Sequence, residues 1–114
     1  MSFFKSLFGS TTAENENVKV ISPSEFKTGL NQKNILLIDV RTPVEFKSGH
    51  IKKAMNVDFF QQGKFKSTIE SLDKSKDVYV YCRSGQRSRK AAKMIADMGF
   101  SNVFDLQGGY LAWN

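Results

Sequence analysis

The chain has 114 residues, 40% of them hydrophobic and 25% charged, with a formal net charge of +6. That length suits one domain with a modest core and no need of disulfide staples. A single cysteine excludes an intrachain disulfide and any multi-cysteine zinc site.

Residues 1–9, MSFFKSLFG, can place Phe3, Phe4, Leu7 and Phe8 on one face of a short helix. They lack the long apolar region and the small-residue cleavage site of a secretory signal. They read as a helix docked on the domain or a flexible, partly ordered end, in preference to a segment making weak membrane or partner contact. Residues 10–17, STTAENEN, read as a polar linker. The expected organisation is an N-terminal extension, 1–17, and one domain, 18–114, with no second copy after it. No apolar run approaches the ~20 residues that span a bilayer.

Residues 18–21 form a short strand. Ser22, Pro23 and Glu25 then carry the marks of a helix start, with Ser22 as N-cap, proline at the first helical position and a glutamate to close a capping box. Phe26 and Leu30 face the core. The run 35–40, ILLIDV, is continuously apolar until its carboxylate, as expected of a central strand buried on both faces of a parallel sheet. Thr42, Pro43 and Glu45 open another short helix, which Gly49 ends. Residues 54–57 form a short strand. Residues 58–72 carry one or two helical pieces, interrupted near Gly63. Residues 78–81, VYVY, are a buried strand, followed by a loop and a helix whose Ala91, Ile95 and Met98 share one face. Gly99 sits where a C′ glycine belongs. Residues 102–106 alternate as a strand, and 108–113 form a last short helix. Strands alternating with helices argue an α/β fold with a mainly parallel sheet.

The lone cysteine, Cys82, stands where a core strand gives way to a polar loop and a helix start. Ligands bind at that end of strands in open α/β sheets. Amides of 83–88 and the positive helix end can hold a thiolate, a persulfide or an oxyanion there. Arg83, Arg87, Arg89, Lys90 and Lys93 make the one dense basic cluster of the chain. It reads as a local field for a small anion or an acidic partner, not as a nucleic-acid stripe. The competing reading of Cys82 is an inert buried hydrophobe. No clustered histidines suggest a metal site.

The loop CRSGQRS, preceded by VYVY and followed by a helix, resembles the active-site loop of rhodanese-like sulfurtransferases. DVRTPVEFKSGHI, 39–51, is similar to that family's Asp-Val-Arg…Glu-Phe…Gly-His-Ile segment, and Ala54 and Asn56 fit its continuation. FDLQGGYLAW, 104–113, is similar to the closing strand and Gly-Gly turn. Lys53 departs from the pattern, which more usually has glycine there. The resemblance covers roughly residues 18–114 and implies a three-layer α/β/α domain around a central, mainly parallel five-stranded sheet.

It also implies a reaction. The Cys82 thiolate takes the outer sulfur of a thiosulfate-like donor, becomes a persulfide and passes the sulfur to a thiol or protein acceptor, with no metal or organic cofactor. Arg83, Ser84, Gly85, Gln86, Arg87 and Ser88 form the substrate-binding loop. Asp39 and Arg41 lie beside it, Asp39 as a brace. Arg41 and Glu45 read more simply as structural ion-pairing groups, His50 as a structural residue, and Ser88 as a possible helix cap. Two other readings stay open: a non-enzymatic persulfide carrier or docking module, and a cysteine-dependent phosphatase or arsenate reductase. The spacing counts against the latter, because Cys82 and Arg87 frame Cys-x4-Arg where phosphatases resemble Cys-x5-Arg. The expected partners are a small anionic sulfur donor and a sulfur acceptor, without nucleic acid or membrane span. The expected compartment is the cytoplasm, from the lone thiol and the missing signal.

Overall fold

The computed structural model describes residues 15–113. Expectations for 1–9 and for most of the 10–17 linker fall outside them. Five strands run β1 (Val18–Ile21), β2 (Ile35–Asp39), β3 (Met55–Asn56), β4 (Asp77–Tyr81) and β5 (Val103–Leu106). They form one sheet in the order β1-β5-β4-β2-β3, every pair parallel. The helices are α1 (Pro23–Gly29), α2 (Pro43–Lys47), α3 (Gln62–Glu70) and α4 (Gln86–Asp97), and a 3-10 turn, Tyr110–Ala112, closes the described chain.

Side-chain alternation along the strands splits the core into two layers. Val78 and Val80 of β4 face Phe65 and Ile69 of α3 and Ala91, Ala92 and Ile95 of α4. Tyr79 and Tyr81 face the opposite layer, with Phe26 of α1 and Leu106 of β5. In the first layer Phe65, Ile69 and Ile95 are all fully buried. Truncating such a ring or branched chain to alanine costs about 2–5 kcal/mol.

Local sequence explains the helix starts. Ser22 and Thr42 each cap their helix reciprocally with Glu25 and Glu45, and proline follows each cap. Gly99 has φ +116° just after the end of α4, as a C′ glycine requires.

β2 is an interior strand, flanked by β4 and β3, with Leu37, Ile38 and Asp39 buried and Ile35 and Leu36 half-buried. Two expectations need correction. Gly63 does not interrupt the 58–72 segment. It lies in the first turn of a continuous α3, where no packing partner crowds it. The closing helix is a single 3-10 turn, because the backbone at Gly108 and Gly109 takes φ of +78° and +65° immediately before it. Lys53 adopts φ +75° in a surface turn, so the position that departs from the resembled pattern carries the strain a glycine would relieve.

Candidate active site

Cys82 directly follows β4, the middle strand, and continues its alternation, so its side chain lies on the Val78–Val80 side of the sheet, under the start of α4. It is 1% exposed, and its Sγ accepts the Gly85 N–H at 3.0 Å. The sulfur thus faces both ways: carbon packing behind it, a polar loop in front.

The loop reaches the helix through Gly85, whose φ of +110° disfavours any side chain. Gly85 is also the N-cap of α4. It offers no side-chain cap, and the first turn holds no acidic residue. The amides of Gln86, Arg87 and Ser88 have no intrahelical acceptor at those positions, and they bring the positive end of a 12-residue helix to the loop.

The loop backbone is clamped from a distant segment. Tyr110 N–H donates to the Cys82 carbonyl at 2.8 Å and Leu111 N–H to the Arg83 carbonyl at 3.1 Å. Gly109 passes so close that a Cβ there would come within 2.4 Å of the Arg83 oxygen. The Gly-Gly pair is therefore a contact requirement, which the sequence shows only as a turn.

The charged residues around the loop are largely engaged with one another. Arg87 makes a two-point ion pair with Glu45, Nη1 to Oε1 at 2.7 Å and Nη2 to Oε2 at 3.0 Å. Its guanidinium also lies 5.2 Å from the ring centre of the exposed Phe60. The Arg87 hydrogen bonds, aided by those of Thr42, hold the Glu45 carboxyl at a pKa of about 2 against its burial. The same pair raises Arg87. Ser88, fully buried, donates to Asp105 at 2.6 Å, and Arg89 Nε lies 3.4 Å from the other Asp105 oxygen. Burial pushes Asp105 up to about 6 despite both partners. Arg83, Ser84 and Gln86 are exposed, and their side chains pair with no other described residue.

Asp39 and Arg41 are brought together but not onto the loop. Asp39 takes Arg41 in a two-point pair, Nη2 to Oδ2 at 2.8 Å, and caps its backbone N–H. Arg41 also donates to the Gly49 carbonyl at 2.6 Å and lies 4.5 Å from the Tyr110 ring centre. No hydrogen bond joins Asp39 to 82–88 among the described residues; Asp39 bonds Arg41, Arg41 lies on the Tyr110 ring, and the Tyr110 N–H bonds the Cys82 carbonyl. Tyr81 accepts the Ile51 N–H at 3.0 Å, and burial raises its hydroxyl pKa strongly. His50 is exposed, stacked on Phe46 at 3.6 Å with Nδ1 2.8 Å from the Phe46 carbonyl, and makes no bond to the loop.

Glu45 as the partner of Arg87, Asp105 as that of Ser88, and the Gly109–Tyr110 clamp are neighbours of the loop that sequence reasoning did not assign. The signal for Asp105 was present: a carboxylate inside an otherwise apolar strand. Among the described residues no cluster of three or more His, Cys, Asp or Glu side chains could hold a metal ion, and no helix is long and apolar enough to cross a membrane.

Comparison with known proteins follows the same outline. The family model described as Rhodanese-like domain matches residues 22–114. A protein of Schizosaccharomyces pombe named putative thiosulfate sulfurtransferase, mitochondrial, is 33% identical over 96% of this chain and 86% of its own length. A tRNA uridine(34) hydroxylase of Pelagibacter ubique is 31% identical over 90% of this chain, which spans only 34% of that enzyme's length. The crystal structure of a rhodanese-like domain protein from Staphylococcus aureus superposes with a TM-score of 0.73 at 28% identity, covering 84% of this chain and 91% of that one.

Proposed function

The chain belongs to the rhodanese-like domain family, and on that footing we propose that it is a sulfurtransferase moving a sulfane sulfur from a thiosulfate-like donor to a thiophilic acceptor through a Cys82 persulfide. The observation that carries this reading is the Cys82 sulfur accepting the Gly85 N–H at the side-chain-free start of α4. A negative sulfur gains there from an oriented amide and a helix terminus already in place, which is what lowers the barrier to forming and holding it.

The Cys82 thiolate attacks the outer sulfur of the donor. A new S–S bond forms, the donor's own S–S bond breaks, and sulfite departs with that electron pair. An acceptor thiolate, or cyanide in an assay, then takes the outer sulfur and returns the thiolate. The amides of 84–88 stabilise the charge before and after transfer. Arg83 attracts the anionic donor, and the N–H groups of Arg87 not used by Glu45 are left to hydrogen-bond it. Ser88 is tied to Asp105 and so fixes the first helical turn rather than binding sulfur. No general base is required, and His50 engages Phe46 rather than the loop.

The four-residue gap between Cys82 and Arg87 supports sulfur over phosphate, because the shorter loop encloses one atom better than a tetrahedral group. A lone thiol that must stay reduced supports a cytoplasmic setting. The test is a steady-state assay of thiocyanate formation from thiosulfate and cyanide, with mass spectrometry of the protein after donor alone. One added sulfur on Cys82, together with turnover abolished by Cys82→Ser, is the expected result. A stoichiometric persulfide without turnover makes the chain a carrier instead. Release of phosphate from an aryl phosphate without sulfur transfer overturns the proposal.

A further inference from the structure

Electrically, the basic cluster around the cysteine is smaller than its sequence spells. Arg87 is held at two points by Glu45, and Arg89 reaches the buried Asp105. Of the arginines at the loop and first helical turn, only Arg83 lacks a carboxylate partner among the described residues. Charge counting then separates sulfur donors. A thiosulfate dianion arriving at the Cys82 thiolate gathers three negative charges, whereas a persulfide or thiosulfonate monoanion gathers two. Arg87 lies close enough to Cys82 for their charges to interact, and Glu45 already occupies it at two points.

We propose that Glu45 is a specificity-determining residue: by neutralising Arg87 at the mouth of the loop it discriminates against doubly charged sulfur donors and favours singly charged ones, the class to which thiol persulfides belong. This rests on the sulfur-transfer reading above and deepens it. The step balances for either kind of donor. The Cys82 thiolate forms the new S–S bond, the donor's S–S bond breaks, and the electron pair leaves with sulfite, sulfinate or thiolate. Only the charge brought to the site differs.

Glu45 has a second task that makes the proposal testable. Its Oε1 also accepts the Thr42 N–H at 3.0 Å and the Thr42 hydroxyl at 3.1 Å, closing the capping box of α2. Glutamine closes such a box as glutamate does. Glu45→Gln therefore removes the charge while keeping the hydrogen bonds that start the helix.

The experiment compares kcat/KM for thiosulfate with that for methanethiosulfonate, a singly charged donor of the same sulfane sulfur, using cyanide as acceptor. Glu45→Gln is expected to raise the thiosulfate-to-methanethiosulfonate ratio at least roughly fivefold, the size of one unit charge acting on one extra donor charge ~4 Å away when fully screened by water. The change should lie in KM for thiosulfate. Glu45→Asp, which keeps the charge, is expected to retain the wild-type ratio. An unchanged ratio in Glu45→Gln, or an equal shift in Glu45→Asp, overturns the proposal. If the wild-type protein forms no Cys82 persulfide with either donor, the sulfur-transfer reading itself fails and takes this one with it. If the persulfide forms with both donors but the ratio does not move, only the role of Glu45 falls.

Discussion

Two helix starts in this molecule are built in opposite ways. α2 begins with Thr42, Pro43 and Glu45, and every device that satisfies a helix N-terminus is present there: side-chain cap, proline and reciprocal carboxylate. α4 begins with Gly85, which has no side chain to offer, and its first turn carries no acid. α3 also lacks a side-chain cap, but it opens at the exposed Gln61, where water can serve. At α4 the missing cap faces a sulfur. The difference teaches that the start of α2 is closed by its own side chains, whereas the start of α4 leaves its first amides beside the Cys82 sulfur. The two starts are also joined, because the glutamate that closes one pairs with the arginine of the other.

If that contrast is functional, giving α4 the side-chain cap that α1 and α2 have, and making it a carboxylate, should do the most harm. Gly85→Asp is expected to lower kcat/KM for sulfur transfer by at least about a hundredfold, because a carboxylate would take the amides meant for the anion. Gly85→Ala carries the strain of φ +110° without the charge, so its smaller loss, read in the same assay, isolates the electrostatic part. Equal losses would mean that backbone strain, not charge, sets the effect.

The clamp on the loop comes next. Gly109→Ala must move the Arg83 carbonyl, which a Cβ would approach to 2.4 Å. We expect roughly 2–5 kcal/mol of lost stability in denaturant unfolding, from overpacking and from a backbone region only glycine occupies easily.

Asp105 substitutes for a cap by tying Ser88 down from below, and it should leave a pH signature. Its folded pKa of about 6 lies above the ordinary 3.8, so the folded state prefers the protonated form. The stability this contributes is complete below about 3.8 and is lost as pH rises through about 6. Melting temperatures of the wild type minus those of Asp105→Asn should therefore fall steadily across that interval. A constant difference would show that Asp105 titrates normally.

The smallest effect belongs to the purely structural cap. Ser22→Ala is expected to cost about 1 kcal/mol by thermal or denaturant unfolding, with sulfur transfer unchanged, since the Ser22 hydroxyl bonds only Ser24 and Glu25 of its own helix. A loss of activity would remove the distinction between the two kinds of helix start.

Much of this molecule was legible along the chain. The capping boxes at Ser22 and Thr42, the β-branched and aromatic run into Cys82, the Ala91–Ile95 face and the C′ Gly99 are all patterns of a few residues. They report period-two and 3.6-residue geometry directly. What misled was equally local. Gly63 looked like a break, yet one glycine in a first turn costs too little to end a helix whose Phe65 and Ile69 are fully buried.

By itself, then, the sequence determined the strand–loop–helix that presents one thiol, and the alternation that points it at the start of α4. Only the tertiary structure decided which charges around it survive. Glu45 cancels Arg87 from 42 residues away, Asp105 secures Ser88 from 17, and Gly109 and Tyr110 grip the loop from beyond β5. Periodicity is written between neighbours on the chain, whereas electrostatic pairing and close backbone approach depend on distance in space, and the order β1-β5-β4-β2-β3 sets those distances.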